Sequence, residues 1–133
     1  RYNADLANGL GNLVARVLSV AKSAGVGLPQ KAGDPDIQQL LETKKKKTEE
    51  LLNEFLFSLA LEKIWEIIQF CDRRIDAIRP WEEPEEKKEA IGDLLLMISH
   101  IAKLLSPFLP ETSEKILKQL AEGKGENLFP RIP

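Results

Sequence analysis

The sequence predicts an all-α fold, an antiparallel bundle of about five helices with an extended C-terminal tail. Three observations predict it. Apolar residues recur at helical spacing through long zones, above all between Asp34 and Leu105. Proline-containing stretches fall between those zones and punctuate them. Alternating apolar and polar runs of the strand type are weak, and most connections are short, which favours antiparallel neighbours.

The first helix is expected from about Asn3 to Ser23. Leu6, Leu10, Leu13, Val14, Val17, Leu18 and Ala21 form one amphipathic stripe. Gly9 and Gly11 fall inside it and read as positions of close helix packing. The segment "AGVGLPQKAGDP" breaks the pattern and reads as a loop. Asp34 and Pro35 are an N-cap and first-turn pair for a second helix, which carries Ile37, Leu40, Leu41, Leu51 and Leu52. Its middle, "ETKKKKTEE", is wholly polar, so it is expected to be solvated on all sides or to project beyond the bundle. A boundary falls between Asn53 and Ser58. The third helix carries Leu61, Ile64, Ile68, Cys71, Ile75 and Ile78, and Pro80 stops it. The fourth is expected from Pro84 to Leu105. Ile91, Leu94, Leu95, Ile98, Ile101, Ala102 and Leu105 make its stripe. Leu96, Met97 and Leu104 widen it, so this helix should be the most buried. "SPFLP" interrupts the chain, and a short fifth helix spans about Glu111 to Ala121. "EGKGEN" is a loop and "LFPRIP" the extended tail.

The 133 residues suit one domain, 1–133, with a real core. Net charge is -2, so an anionic partner must be met by a local patch and not by the field of the whole molecule. Cys71 is the one cysteine, which excludes an internal disulfide and fits a reducing, cytoplasmic setting. No apolar run is long enough to span a membrane. The chain opens on Arg1 and contains only Met97, which reads as a piece of a longer chain.

Catalysis needs convergent groups, and few are present. His100 lies opposite the Ile91–Ile98 stripe and reads as a surface histidine. Cys71 lies on the apolar stripe of the third helix and reads as a small core hydrophobe. One histidine and one cysteine do not build the usual zinc site, and no phosphate-cradling glycine motif occurs. The piece alone is expected to have no catalytic residues, no metal and no enzyme activity.

The polar groups are more informative. Asp5, Asn8, Asn12, Arg16 and Ser19 lie on the side of the first helix away from its leucines. Asn12 and Arg16 are four residues apart and so are neighbours. They are either part of a solvated face or a recognition pair suited to base edges and phosphate. Lys44 to Lys47 form a cationic run. Arg73, Arg74 and Arg79 sit in the last turns of the third helix, where cations suit the helix dipole and could also meet phosphate. Trp81 follows, in "DAIRPWEEPEE", between two prolines at the tip of two helices. It is either a lid on the core or a platform on which a base stacks.

These residues match a family. "RYNADLANGLGNLVARVLS" resembles the opening of the anticodon-binding domain of the methionyl-tRNA synthetases, which are class I aminoacyl-tRNA synthetases. "ALEKIWEII" with "IDAIRPWE" resembles its third helix and Pro-Trp tip, and "LLSPFLPETSEKI" with "LFPRI" its closing segments. The resemblance covers the whole chain, with four motifs in order. It departs where the family often has Asn-x-Tyr-Ile and this chain has Asp72 to Ile75, and where Ala15 precedes Arg16. The resemblance implies that Asn12 and Arg16 contact anticodon bases, that Trp81 stacks with the first anticodon base, and that Pro80 shapes that surface. It implies the anticodon CAU and, as partners, the anticodon stem-loop of tRNA(Met) and the catalytic domain of the same parent chain. It also implies ATP with magnesium as the parent's cofactor and none for this piece. Neither DNA nor a membrane is expected as a partner. Two rival readings are a helical protein-binding module acting through the second helix, and the equivalent domain of a leucine, isoleucine or valine enzyme.

Overall fold

The computed structural model describes residues 2–122, with side chains described for residues 9–121. Five α-helices follow one another: α1 Tyr2–Ala24, α2 Pro35–Asn53, α3 Phe57–Ile78, α4 Lys88–Leu105 and α5 Pro110–Glu122. Among the described residues there is no strand. The all-α expectation holds. The expected tail, and the side chains of Leu6, Asp5 and Asn8, lie outside the described residues.

The boundaries have local causes. The Asp34 carboxylate accepts a hydrogen bond from the Asp36 N–H at 2.9 Å, and Pro35 stands where its missing N–H costs nothing. α2 ends in a pair of crossed bonds: Leu56 N–H donates to Leu51 C=O at 2.8 Å and Phe55 N–H to Leu52 C=O at 3.0 Å. That pairing requires a left-handed residue, and Phe55 supplies it with φ 61°.

α4 runs through the middle of the bundle and touches α1, α2, α3 and α5. Every residue from Ile91 to Ser99 is buried, as its broad apolar surface predicts. Cys71 is fully buried and its thiol meets the Met97 sulfur at 3.6 Å. Burial pushes that thiol far above its usual range, so it is an inert core group.

α1 and α3 run in the same direction, because Gly9 faces Trp65 near one end and Arg16 meets Asp76 near the other. A Cβ on Gly9 would stand 3.2 Å from the Trp65 ring, so the glycine sets the spacing of the two helices there. A buried carboxylate fixes the α1–α2 loop. Asp93 of α4 accepts from the N–H groups of Gly33 at 2.7 Å and Asp34 at 3.2 Å.

Three expectations change. "ETKKKKTEE" is neither solvated all round nor projecting. α2 packs along α3, Thr48 is fully buried, and Lys44 pairs with Glu66. Lys44 and Thr48 continue the Ile37–Leu41–Leu51 face, and the lysine's methylene stem covers apolar surface while its ammonium reaches a carboxylate. The protrusion on which the protein-binding reading relied is therefore absent. Pro84 does not open α4. It opens a single 3-10 turn, Pro84–Lys87, after which the α-helix starts. His100 is not on an open surface. It is half-buried between α2 and α4, bordered by Lys45, Glu49 and Lys103, because α4 is enclosed on nearly all sides. Burial, with Lys103 and Lys45 nearby, holds its pKa below the usual histidine value.

Candidate nucleic-acid interface

The end of α3 is built by proline geometry. Pro80 makes the helical conformation unfavourable for the residue before it. Arg79 turns left-handed instead, at φ 52°, while its N–H still donates to Ile75 C=O at 2.9 Å. The chain then reverses in one tight turn, closed by the Glu82 N–H donating to Arg79 C=O at 2.9 Å. Pro80 occupies the second position of that turn, which its fixed φ suits, and its ring is buried. Trp81 occupies the third, with 49% of its surface exposed. Lys87 braces the turn from the other side, its ammonium donating to Arg79 C=O at 3.1 Å. Trp81 thus does not close over the core as a lid.

α1 supplies the second wall. Arg16 donates from Nη2 to Asp76 Oδ1 at 2.7 Å, and its guanidinium carbon lies 5.9 Å from the centre of the Trp81 ring. Such a cation–aromatic contact contributes about 0.5–1 kcal/mol at an exposed site. Asn12 is exposed one turn earlier on the same helix. Of the four residues singled out for anticodon contact, Arg16 and Trp81 meet across the α1–α3 seam, Pro80 is buried beside Trp81 in the turn, and Asn12 lies exposed one turn before Arg16 on α1. Asp72 is half-buried beside it. Burial raises its pKa, the Arg16 cation opposes the rise, and Asp76 adds to it.

The arginine trio is not brought together. Arg79 stays at the turn, exposed, with its Nε 3.2 Å from Glu82 Oε2. Arg74 points the other way and pairs with Asp34 at the start of α2, at 3.4 Å. Arg73 borders a shallow cleft with Lys44, Glu66 and Phe70 on the α2 side. The reason is helical rotation: consecutive residues diverge by about 100°. Asp76, the partner of Arg16, was not singled out by sequence reasoning. The spacing of Asp72 and Asp76, four apart and just before the turn, carries the signal that could have found it.

A family model described as the anticodon-binding domain of tRNA ligase matches residues 34–132, which include Pro80 and Trp81. The chain belongs to that family. Three relatives extend the match of this anticodon-binding domain over α1. A methionine–tRNA ligase of Caldanaerobacter subterraneus subsp. tengcongensis is 32% identical over 99% of the chain and 26% of its own length. One of Clostridium acetobutylicum is 30% identical over 99% of the chain and 25% of its own length. One of Fusobacterium nucleatum subsp. nucleatum is 33% identical over 93% of the chain and 21% of its own length. The chain thus spans about a quarter of the length of the curated relatives it matches. No described helix is long and apolar enough to cross a membrane, and no described cluster of His, Cys, Asp and Glu could hold a metal ion.

Proposed function

We propose that this domain reads the CAU anticodon of tRNA(Met) as part of a longer, cytoplasmic methionine–tRNA ligase. The observation that carries the reading is the placement of Arg16 over Trp81, from opposite sides of the α1–α3 seam. In this reading the first anticodon base, cytosine, stacks on the open face of Trp81. Pro80 sets the angle of that face. Asn12, with a donor and an acceptor on one amide, and Arg16, with its planar fork of donors, read the edges of neighbouring bases. Arg79 is the cation of the trio that adjoins Trp81, while Arg74 is paired with Asp34 and Arg73 borders the cleft on the α2 side.

The parent's chemistry lies elsewhere. Activation of methionine with ATP and magnesium belongs to a catalytic domain of the same parent chain, and this domain holds the tRNA in register for it. The test is a titration with an isolated CAU stem-loop against one of altered anticodon. The proposal expects salt-dependent binding and a clear preference for CAU. Equal binding of both loops overturns it, and preference for a leucine, isoleucine or valine anticodon reassigns the domain.

A further inference from the structure

The turn that carries Trp81 lies between two left-handed residues. Arg79 enters it at φ 52° and Glu83 leaves it at φ 51°. Neither is glycine, the residue that takes this backbone without strain. Local preference therefore does not hold the segment, and surrounding contacts must. The indole is half exposed and gains little packing of its own. Its direction is set by the backbone beneath it.

Those contacts meet at the Arg79 carbonyl. It accepts from the Glu82 N–H at 2.9 Å and from the Lys87 ammonium at 3.1 Å, which uses both of its lone pairs. The first bond closes the turn from within. The second comes from outside it. Lys87 is the last residue of the 3-10 turn Pro84–Lys87, at the root of α4 and shortly before the buried run that opens with Ile91. Its side chain ties the turn to that helix.

The partner of Lys87 is the telling feature. Glu82, Glu83, Glu85 and Glu86 precede it closely in the chain, and charge alone would pair it with one of them. Arg79 takes Glu82 at 3.2 Å and Lys88 takes Glu85 at 3.0 Å, while Glu83 and Glu86 are exposed. Lys87 is half-buried and reaches a backbone carbonyl instead, with no carboxylate partner among the described residues. An ammonium with acidic neighbours that bonds to the main chain acts on the course of the backbone.

We propose that Lys87 is a positioning residue for Trp81. Its bond to the Arg79 carbonyl holds the strained turn in the arrangement that presents the indole beside Arg16. It acts through the backbone and not through contact with a ligand. This rests on reading Trp81 as the surface on which a base stacks. The consequence is a ring that is set in place before RNA arrives, so that less ordering is left to binding.

The test uses the full-length parent and three variants. Lys87→Met removes the tie, and Lys87→Arg keeps a donor. Lys88→Met removes the same charge one residue on, where it meets Glu85. Hydrogen–deuterium exchange without RNA reads the turn. In Lys87→Met the Glu82 N–H should exchange about three- to tenfold faster, the effect of one lost hydrogen bond, while Ile91 to Ser99 keep their protection. Lys87→Arg should restore slow exchange, and Lys88→Met should not change it. In titrations with a CAU stem-loop, Lys87→Met should bind about three- to tenfold more weakly than Lys88→Met, with the same salt dependence. Unchanged exchange at Glu82, or equal affinity of the two methionine variants, overturns the proposal. Faster exchange that spreads through Ile91 to Ser99 also overturns it, because Lys87 then supports the whole fold. So does a salt slope shallower than that of Lys88→Met, because Lys87 then meets a phosphate itself. The exchange measurement contains no RNA, so failure of the CAU reading would show separately, in the choice between stem-loops.

Discussion

Arg16 and Trp81, 65 positions apart in the chain, meet with the guanidinium 5.9 Å from the ring centre. The same guanidinium holds Asp76 at 2.7 Å. A planar cation, an open aromatic face and a carboxylate thus share one exposed corner.

Trp81→Ala should lower affinity for a CAU stem-loop by about 1–3 kcal/mol, roughly 5- to 150-fold, since one stacked base loses its platform. Trp81→Phe should recover part of the loss. The melting temperature should hardly move, because the ring is half exposed. A titration and a thermal melt on the same samples check this, and a large drop in melting temperature would show that the ring is structural after all.

Asp76→Asn should release Arg16. The lost ion pair is exposed, so stability should change by less than about 1 kcal/mol. Binding to a stem-loop should strengthen at low salt and depend more steeply on salt, by roughly one further released ion. An unchanged affinity at low salt would mean that the Arg16–Asp76 pair does not reach the RNA.

Asp93→Ala should destabilise the fold by about 1–3 kcal/mol, because two loop N–H groups lose a buried acceptor. Asp93→Asn keeps one acceptor oxygen and should fall between. Urea unfolding measures both. The slope of the transition should stay constant if the loop alone is loosened.

Stability should decline as pH falls below about 6.5, the ordinary histidine value. Burial keeps His100 neutral in the fold, so its folded pKa lies below its unfolded one. The unfolded chain therefore takes up the proton first, and stability drops through that window until the folded state also protonates. His100→Gln should flatten the decline between pH 7 and 5 in denaturant titrations. The effect is modest, since the ring is only half-buried.

Much of this was legible in the residues. The stripes of α1, α3 and α4, the Asp34 cap and the Pro80 stop are local signals, and all five helices lie close to where those signals put them. The errors arose where packing overrides pattern. "ETKKKKTEE" reads as solvent-facing because Lys44 and Thr48 are polar, yet α3 offers Glu66 and an apolar wall that accept them. His100 lies opposite an apolar stripe, which suggests exposure only if α4 has one open side. Pairing Asn12 and Arg16 follows from helical spacing. Setting them beside Trp81 depends on α1 and α3 running side by side, a long-range relation that the resemblance implied and spacing did not. The divergence of Arg73, Arg74 and Arg79 needs the helix's rotation relative to α2, which no local pattern contains.

α4 fills the middle of the bundle, and its buried run from Ile91 to Ser99 belongs to the core and not to the exposed groups of the Trp81 corner. In the proposed function, reading and folding are consequently carried by separate residues. Asn12, Arg16 and Trp81 can be exchanged for others without disturbing Ile91 to Ser99. The corner is in that sense a replaceable head on a fixed shaft, and a library confined to those three positions would explore new anticodons on an unchanged scaffold.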